Sequence, residues 1–190
     1  MAYIRTFVAI KLEEPVRRKA GELTRRWSDV GAKVNWVSAA NMHLTLKFLG
    51  DVEDREVPEV CKTVQQVVAD HDPFVVELAG AGAFPATDRP RTLWLGVGEG
   101  GDELSELAVA LDDALHEIGY AAESRRFHGH LTLGRVRDPQ GQQAELQRRV
   151  EKASDFSAGM SQVNEVMVFS SVLERDGPQY GVLSTARLGV

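Results

Sequence analysis

The sequence predicts a mixed α+β fold built as two similar lobes. Three observations point there. The tetrapeptide His-Leu-Thr-Leu occurs twice, at His43–Leu46 and at His130–Leu133, a little under half a chain length apart, as an internal duplication would leave it. Stretches with the period of a strand alternate with stretches of helical period. The succession strand–helix–strand–helix–strand–strand comes round roughly twice, which suggests pseudo-repeats of about 1–90 and 91–190 within one domain. At 190 residues the chain is long enough to bury a sizeable core.

The elements follow in order. Tyr3–Ile10 reads as a strand. Glu14–Ser28 reads as a helix, with Pro15 in its first turn and Val16, Ala20, Leu23 and Trp27 on one stripe. The first motif opens a strand at His43–Leu49. A helix is expected near Arg55–Ala69, then strands at Phe74–Leu78 and Thr92–Val97. Gly98-Glu99-Gly100-Gly101 is the clearest breaker and the candidate boundary between repeats. Asp102–Ile118 is strongly amphipathic, with Leu104, Leu107, Leu111, Leu115 and Ile118 on one face. The second motif forms a strand at His130–Leu133, and a polar helix follows near Gln142–Ala153. Strands near Gln162–Val172 and Tyr180–Leu188, joined by a turn at Asp176-Gly177-Pro178, close the chain.

Strand geometry turns the repeated tetrapeptide into chemistry. With period two, His43, Thr45 and Lys47 share one face, and Leu44, Leu46 and Phe48 the other, which packs on a core. His130 and Thr132 likewise stand together, with Leu131 and Leu133 opposite. Each copy pairs a group that titrates near neutral pH with a hydroxyl that donates without adding charge, which suits a phosphate oxygen. Two such pairs can divide the work of acid and base. Neither copy has an Asp, Glu or Cys beside it at ligand spacing, so no metal and no cofactor is expected.

Composition excludes several classes. The formal net charge is −6, unsuited to a protein that coats nucleic acid through many Lys and Arg contacts. No apolar run approaches the ~20 residues that span a bilayer, so no membrane partner is expected. The single cysteine, Cys61, rules out an internal disulfide, and Met1-Ala2-Tyr3-Ile4-Arg5 reads as no signal peptide. A cytoplasmic monomer is expected. Of the five histidines, His71 reads as solvated in a polar turn and His116 as a cation in the last turn of a helix. His128 shares strand parity with His130 and is placed at a cleft rim. Gly96-Val97-Gly98 and Gly100-Gly101 lack phosphate-loop spacing and read as turns.

The two motifs and their surroundings resemble a family. Arg5-Thr6-Phe7-Val8-Ala9-Ile10, Trp36-Val37-Ser38 with Asn41–Gly50, Gly82-Ala83-Phe84-Pro85 with Leu93–Val97, and Phe127–Arg135 are similar to blocks of the 2H phosphoesterase superfamily. Within it, the chain resembles the RNA 2′,3′-cyclic phosphodiesterases, also called 2′-5′ RNA ligases. Gly129 departs from the pattern, standing where the family often has Pro. The resemblance implies a bilobal fold of two antiparallel sheets flanked by helices, with the motif strands lining a central cleft. It implies a substrate that is an RNA or nucleotide ending in a 2′,3′-cyclic phosphate. His43 would be the general acid and His130 the general base. Thr45, Thr132 and Arg135 would hold the phosphate, and Phe7, Phe48 or Trp36 would stack on the base. Arg135 has the strand parity of Leu133 rather than of His130, so a bulge at Gly134 is needed to turn it inward. Arg125, Arg126 and Lys47 are further cations near the motifs. Two other readings stay open: a 2H enzyme for a 2′-5′ oligonucleotide or ADP-ribose cyclic phosphate, and a non-catalytic RNA-end binder.

Overall fold

The computed structural model describes residues 2–174 and 177–190. Nine strands and four α-helices follow one another as β1 (Tyr3–Lys11), α1 (Glu14–Trp27), β2 (Lys33–Trp36), β3 (His43–Glu53), α2 (Val57–Ala69), β4 (Phe74–Phe84), β5 (Thr92–Val97), α3 (Gly101–Glu117), β6 (His130–Asp138), α4 (Gln143–Lys152), β7 (Ser157–Val163), β8 (Glu165–Glu174) and β9 (Gly177–Arg187). The expected helices are present at nearly their expected bounds. Asp176 of the expected final turn lies outside the described residues, while Gly177 and Pro178 open β9.

Three differences have physical causes. β2 is an unpredicted strand, because four residues, Lys33–Trp36, offer too little alternation to register. β4 runs on to Phe84 through the small residues Ala79–Ala83. The expected strand at Gln162–Val172 is two strands, which part at Asn164 because β7 pairs with β4 whereas β8 pairs with β1.

The strands run in the order β7-β4-β5-β6-β3-β1-β8-β9, every recorded pair antiparallel, and β2 pairs with the far end of β6. The two expected sheets meet at one point, Leu44 opposite Leu131. The terminal strands β8 and β9 extend the half that holds β1 and β3. One residue separates β7 from β8, yet they lie six steps apart in the sheet, about 29 Å at ~4.8 Å per step. The sheet must therefore curl, and curling gives it a concave face.

The helices cover the other face. α1 packs on β6 and β7, α4 on β4, α2 on α3, β8 and β9, and α3 also on β3. One continuous core runs between sheet and helices. It takes Val60, Val64 and Val68 from α2, Leu104, Leu107, Leu111 and Leu115 from α3, and Leu44, Leu46, Leu131 and Leu133 from the motif strands. β1 is buried on both faces: Val8 and Ile10 join that core, while Phe7 and Ala9 join a small cluster with Phe169 on the concave side. No helix among the described residues is long and apolar enough to cross a membrane.

Candidate active site

The single β3–β6 pair brings the two motifs together. With Leu44 opposite Leu131, the antiparallel register sets His43 beside Thr132 and Thr45 beside His130. Both pairs project from the concave face, because the four motif leucines are buried in the core on the other.

The two histidines are held alike. His43 Nδ1 lies 2.7 Å from the Asn41 carbonyl oxygen, and His130 Nδ1 lies 2.7 Å from that of His128. In each case the ring must donate Nδ1–H to a carbonyl two residues upstream. That fixes the tautomer and leaves Nε2 to meet a ligand. Aromatic rings enclose both. His43 has Phe7 at 5.0 Å and Tyr180 edge-on at 5.3 Å between ring centres. His130 has Phe84 edge-on at 5.0 Å and Trp94 at 6.4 Å. Burial is the main influence on both imidazoles and pushes each below its ordinary value, against the carbonyl bond that supports the protonated form. On the His130 side, His128 and Arg135 add positive charge that lowers it further.

Bulges decide what else faces the cleft. Between β5 and β6, Leu93 pairs with Gly134 and Trp94 with Thr132, so Leu133 is the extra residue. Arg135 is thereby turned to the side of His130 and Thr132, opposite Thr92, whose hydroxyl it meets at 3.4 Å. Gly134 makes this possible: a Cβ there would stand 2.8 Å from Val34 and from the Trp36 ring. The first motif has the same irregularity. Ala9 pairs with Thr45 and Val8 with Lys47, leaving Leu46 unpaired. This overturns two expected orientations. Lys47 does not share the face of His43 and Thr45. It is buried toward α3, bonded to Asp112 and to the Ala121 carbonyl oxygen. Phe48 does not pack on the core. It is half exposed on the concave face, with the Arg5 guanidinium 4.7 Å above its ring.

The other proposed base platforms fare differently. Phe7 is 4% exposed and spends its face on His43, Phe169 and Tyr180, so it is not open to a base. Trp36 packs over Gly134 against the main core, away from the cleft. His128 is exposed on the cleft wall, edge-on to Phe84 and Trp94, as expected of a rim residue. Phe84, Trp94, Phe169 and Tyr180 were not singled out by the sequence. Only Trp94 left a trace there: Gly82, its partner across β4–β5, is a residue whose Cβ would collide with the indole.

The cleft has a volume of about 1060 Å³ and is lined by Thr45, Phe48, Phe84, His128 and His130 among others. His43 is the more enclosed of the two histidines. Of the motif groups, His130 and Thr45 border this space, while the strand register sets Thr132 beside His43 and turns Arg135 to the same face of β6. Among the described residues no three His, Cys, Asp or Glu side chains cluster in a way that could hold a metal ion.

The chain is similar to known proteins along nearly its whole length. The sequence profile of the 2′-5′ RNA ligase superfamily matches residues 13–170. An RNA 2′,3′-cyclic phosphodiesterase of Thermotoga maritima is 34% identical over 180 residues, 95% of this chain and 93% of that protein. One of Aquifex aeolicus is 31% identical over 190 residues, all of both chains. Among solved structures, E. coli LigT complexed with 3′-AMP superposes with a TM-score of 0.79 at 25% identity, covering 99% of each chain. TT0787 of Thermus thermophilus shares the fold with a TM-score of 0.83 at 24% identity, covering 98% of each. The chain belongs to the 2′-5′ RNA ligase superfamily.

Proposed function

We propose that the protein is an RNA 2′,3′-cyclic phosphodiesterase, a hydrolase that opens terminal cyclic phosphates to 2′-phosphates by acid–base catalysis between His43 and His130. One observation carries the reading: two His-x-Thr pairs stand side by side on one face of neighbouring strands, each imidazole anchored through Nδ1 and, among the described residues, without a partner at Nε2. The relatives that bear this name and the LigT complex with 3′-AMP support it.

The step balances as follows. His130, neutral, takes a proton from water through Nε2 as the water oxygen attacks phosphorus. The bond from phosphorus to O3′ breaks, and His43, protonated, gives O3′ its proton. The product carries a 2′-phosphate and a 3′-hydroxyl. Attack and departure lie roughly in line, which is why the base and the acid belong on opposite sides of the phosphate. Thr45, Thr132 and Arg135 hold the non-bridging oxygens, the guanidinium fork matching two of them. The charges favour this division of roles: Arg135 and His128 help to keep His130 neutral, and among the described residues no cation lowers His43 in the same way. Run backward with an RNA 5′-hydroxyl in place of water, the same site joins ends through a 2′-5′ bond.

Turnover of 2′,3′-cyclic AMP and of a short RNA with a cyclic phosphate end tests this, with the product isomer identified. A 2′-phosphate is expected. A 3′-phosphate would place the 2′ oxygen on the His43 side, and no turnover of either substrate would sink the reading.

A further inference from the structure

The wall of the cleft opposite the motif strands is built from residues that the reaction above does not use. The segment between α3 and β6 has no regular structure, and its residues Glu123 to His128 line the cleft. It is held from beneath. Lys47, 6% exposed, bonds the Asp112 carboxylate on α3 and the Ala121 carbonyl oxygen at 2.6 Å. The same carboxylate accepts the Glu123 backbone N–H at 3.0 and 3.1 Å to its two oxygens. A buried ion pair therefore ties the first motif strand, α3 and the start of this segment into one unit.

The segment carries Arg125 and Arg126, and Arg91 enters the same wall from the turn before β5. Among the described residues none of the three has a carboxylate partner. The lining of the cleft holds four cations, Lys47 included, and two carboxylates, Asp112 and Glu123. Lys47 and Asp112 cancel each other. The cleft is thus net positive in a chain whose formal net charge is −6. Unpaired arginines gathered in the active cleft of an acidic protein have an anion to meet, and Arg135 already serves the reacting phosphate.

We propose that Arg91, Arg125 and Arg126 form a second phosphate subsite, which takes the phosphodiester joining the terminal nucleotide to the one before it. The site is then built for an RNA end rather than for a mononucleotide. This rests on the cyclic phosphodiesterase reading and adds to it a contact upstream of the reacting phosphate. Guanidinium forks suit a phosphodiester's two free oxygens, and such contacts make binding depend on salt.

The test compares 2′,3′-cyclic AMP, which lacks that phosphodiester, with a trinucleotide ending in a cyclic phosphate. Both are assayed across a range of KCl with the wild-type protein and with Arg125→Ser/Arg126→Ser. Both arginines are exposed, so the doubly substituted chain should fold, and its thermal melt checks this. In the wild type, kcat/KM for the trinucleotide should exceed that for cyclic AMP and fall more steeply with salt, by about 0.7 in log–log slope per phosphate contact. The double substitution should cut the ratio of the two kcat/KM values at least tenfold and remove most of the extra slope. An unchanged ratio, or an equal loss on both substrates, would overturn the subsite. Turnover of neither substrate by the wild type would overturn the underlying reading and the subsite with it. Turnover of both without preference would overturn the subsite alone.

Discussion

Asp112→Leu and Lys47→Met remove opposite ends of one ion pair, and the structure predicts unequal losses. The Lys47 side chain is 6% exposed, whereas Asp112 is 19% exposed at the edge of the cleft. Without Asp112, the Lys47 ammonium stays buried with one acceptor, the Ala121 carbonyl. A stranded buried charge of this kind costs about 3–5 kcal/mol. Without Lys47, the Asp112 carboxylate keeps the Glu123 N–H and reaches water, which lowers the cost to about 1–2 kcal/mol. In a chain of this length each kcal/mol moves Tm by roughly 2–4 °C. Asp112→Leu should therefore lower Tm by about 10 °C, and Lys47→Met by about 4 °C. Thermal melts at pH 7 compare the two. Burial by itself would raise the Asp112 carboxyl, but its bonds to Lys47 and the Glu123 amide bring it below the usual range. Because that folded value is depressed, the pair's contribution is complete above the ordinary carboxylate value and is lost only as pH falls through the folded one. The double change Lys47→Met/Asp112→Leu should melt near the wild type, since apolar groups of similar size commonly replace a buried pair at little cost. Equal losses in the single variants, or a double variant as weak as Asp112→Leu, would refute the reasoning.

Four further outcomes concern turnover. His43→Ala and His130→Ala should each slow it by ~10²-fold or more, the usual scale for a general acid or base. Thr45→Ala and Thr132→Ala should cost less, since each removes one uncharged hydrogen bond, and a His128→Ala as damaging as His130→Ala would show the wrong histidine was chosen. Phe48→Ala should raise KM by roughly fivefold or more, the loss of one stacking platform, and an unchanged KM would exclude it as the base contact. Activity should survive excess EDTA, because no carboxylate-rich ligand set stands beside either motif; a loss restored by Mg²⁺, Mn²⁺ or Zn²⁺ would contradict the metal-free step.

The sequence makes the site's chemistry legible but not its enclosure. The His-x-Thr pairs sit on strands, where period two is a local property, and the leucines between them read directly as core. The helical stripes of α1 and α3 are local in the same sense. Bulges are not local. Whether Leu46 and Leu133 are squeezed out of register depends on the strands beside them, so the inward Lys47 and the outward Phe48 could not be read from β3 alone. Arg135 was read further, because Gly134 before it advertises a place where backbone approaches bulk. The rings around the histidines escaped because Phe84, Trp94, Phe169 and Tyr180 come from four strands, brought to the motifs only by the strand order. The break at Asn164 left only a slight mark, a change of parity from Val163 to Val166 in the buried positions, and the change of partner strand that causes it is a tertiary event.

The most direct test of the two-histidine step is the pH dependence of kcat/KM on a cyclic phosphate substrate. In the free enzyme burial disfavours the imidazolium of both His43 and His130. Each imidazole then gains its proton only as the pH falls below the ordinary imidazole value of about 6.5. The profile should be a bell centred on the acid side of that value, with limbs that belong to the coupled pair. A curve that rises or falls monotonically across the neutral range, or a bell centred on the alkaline side, would contradict a reaction driven by two histidines in opposite protonation states.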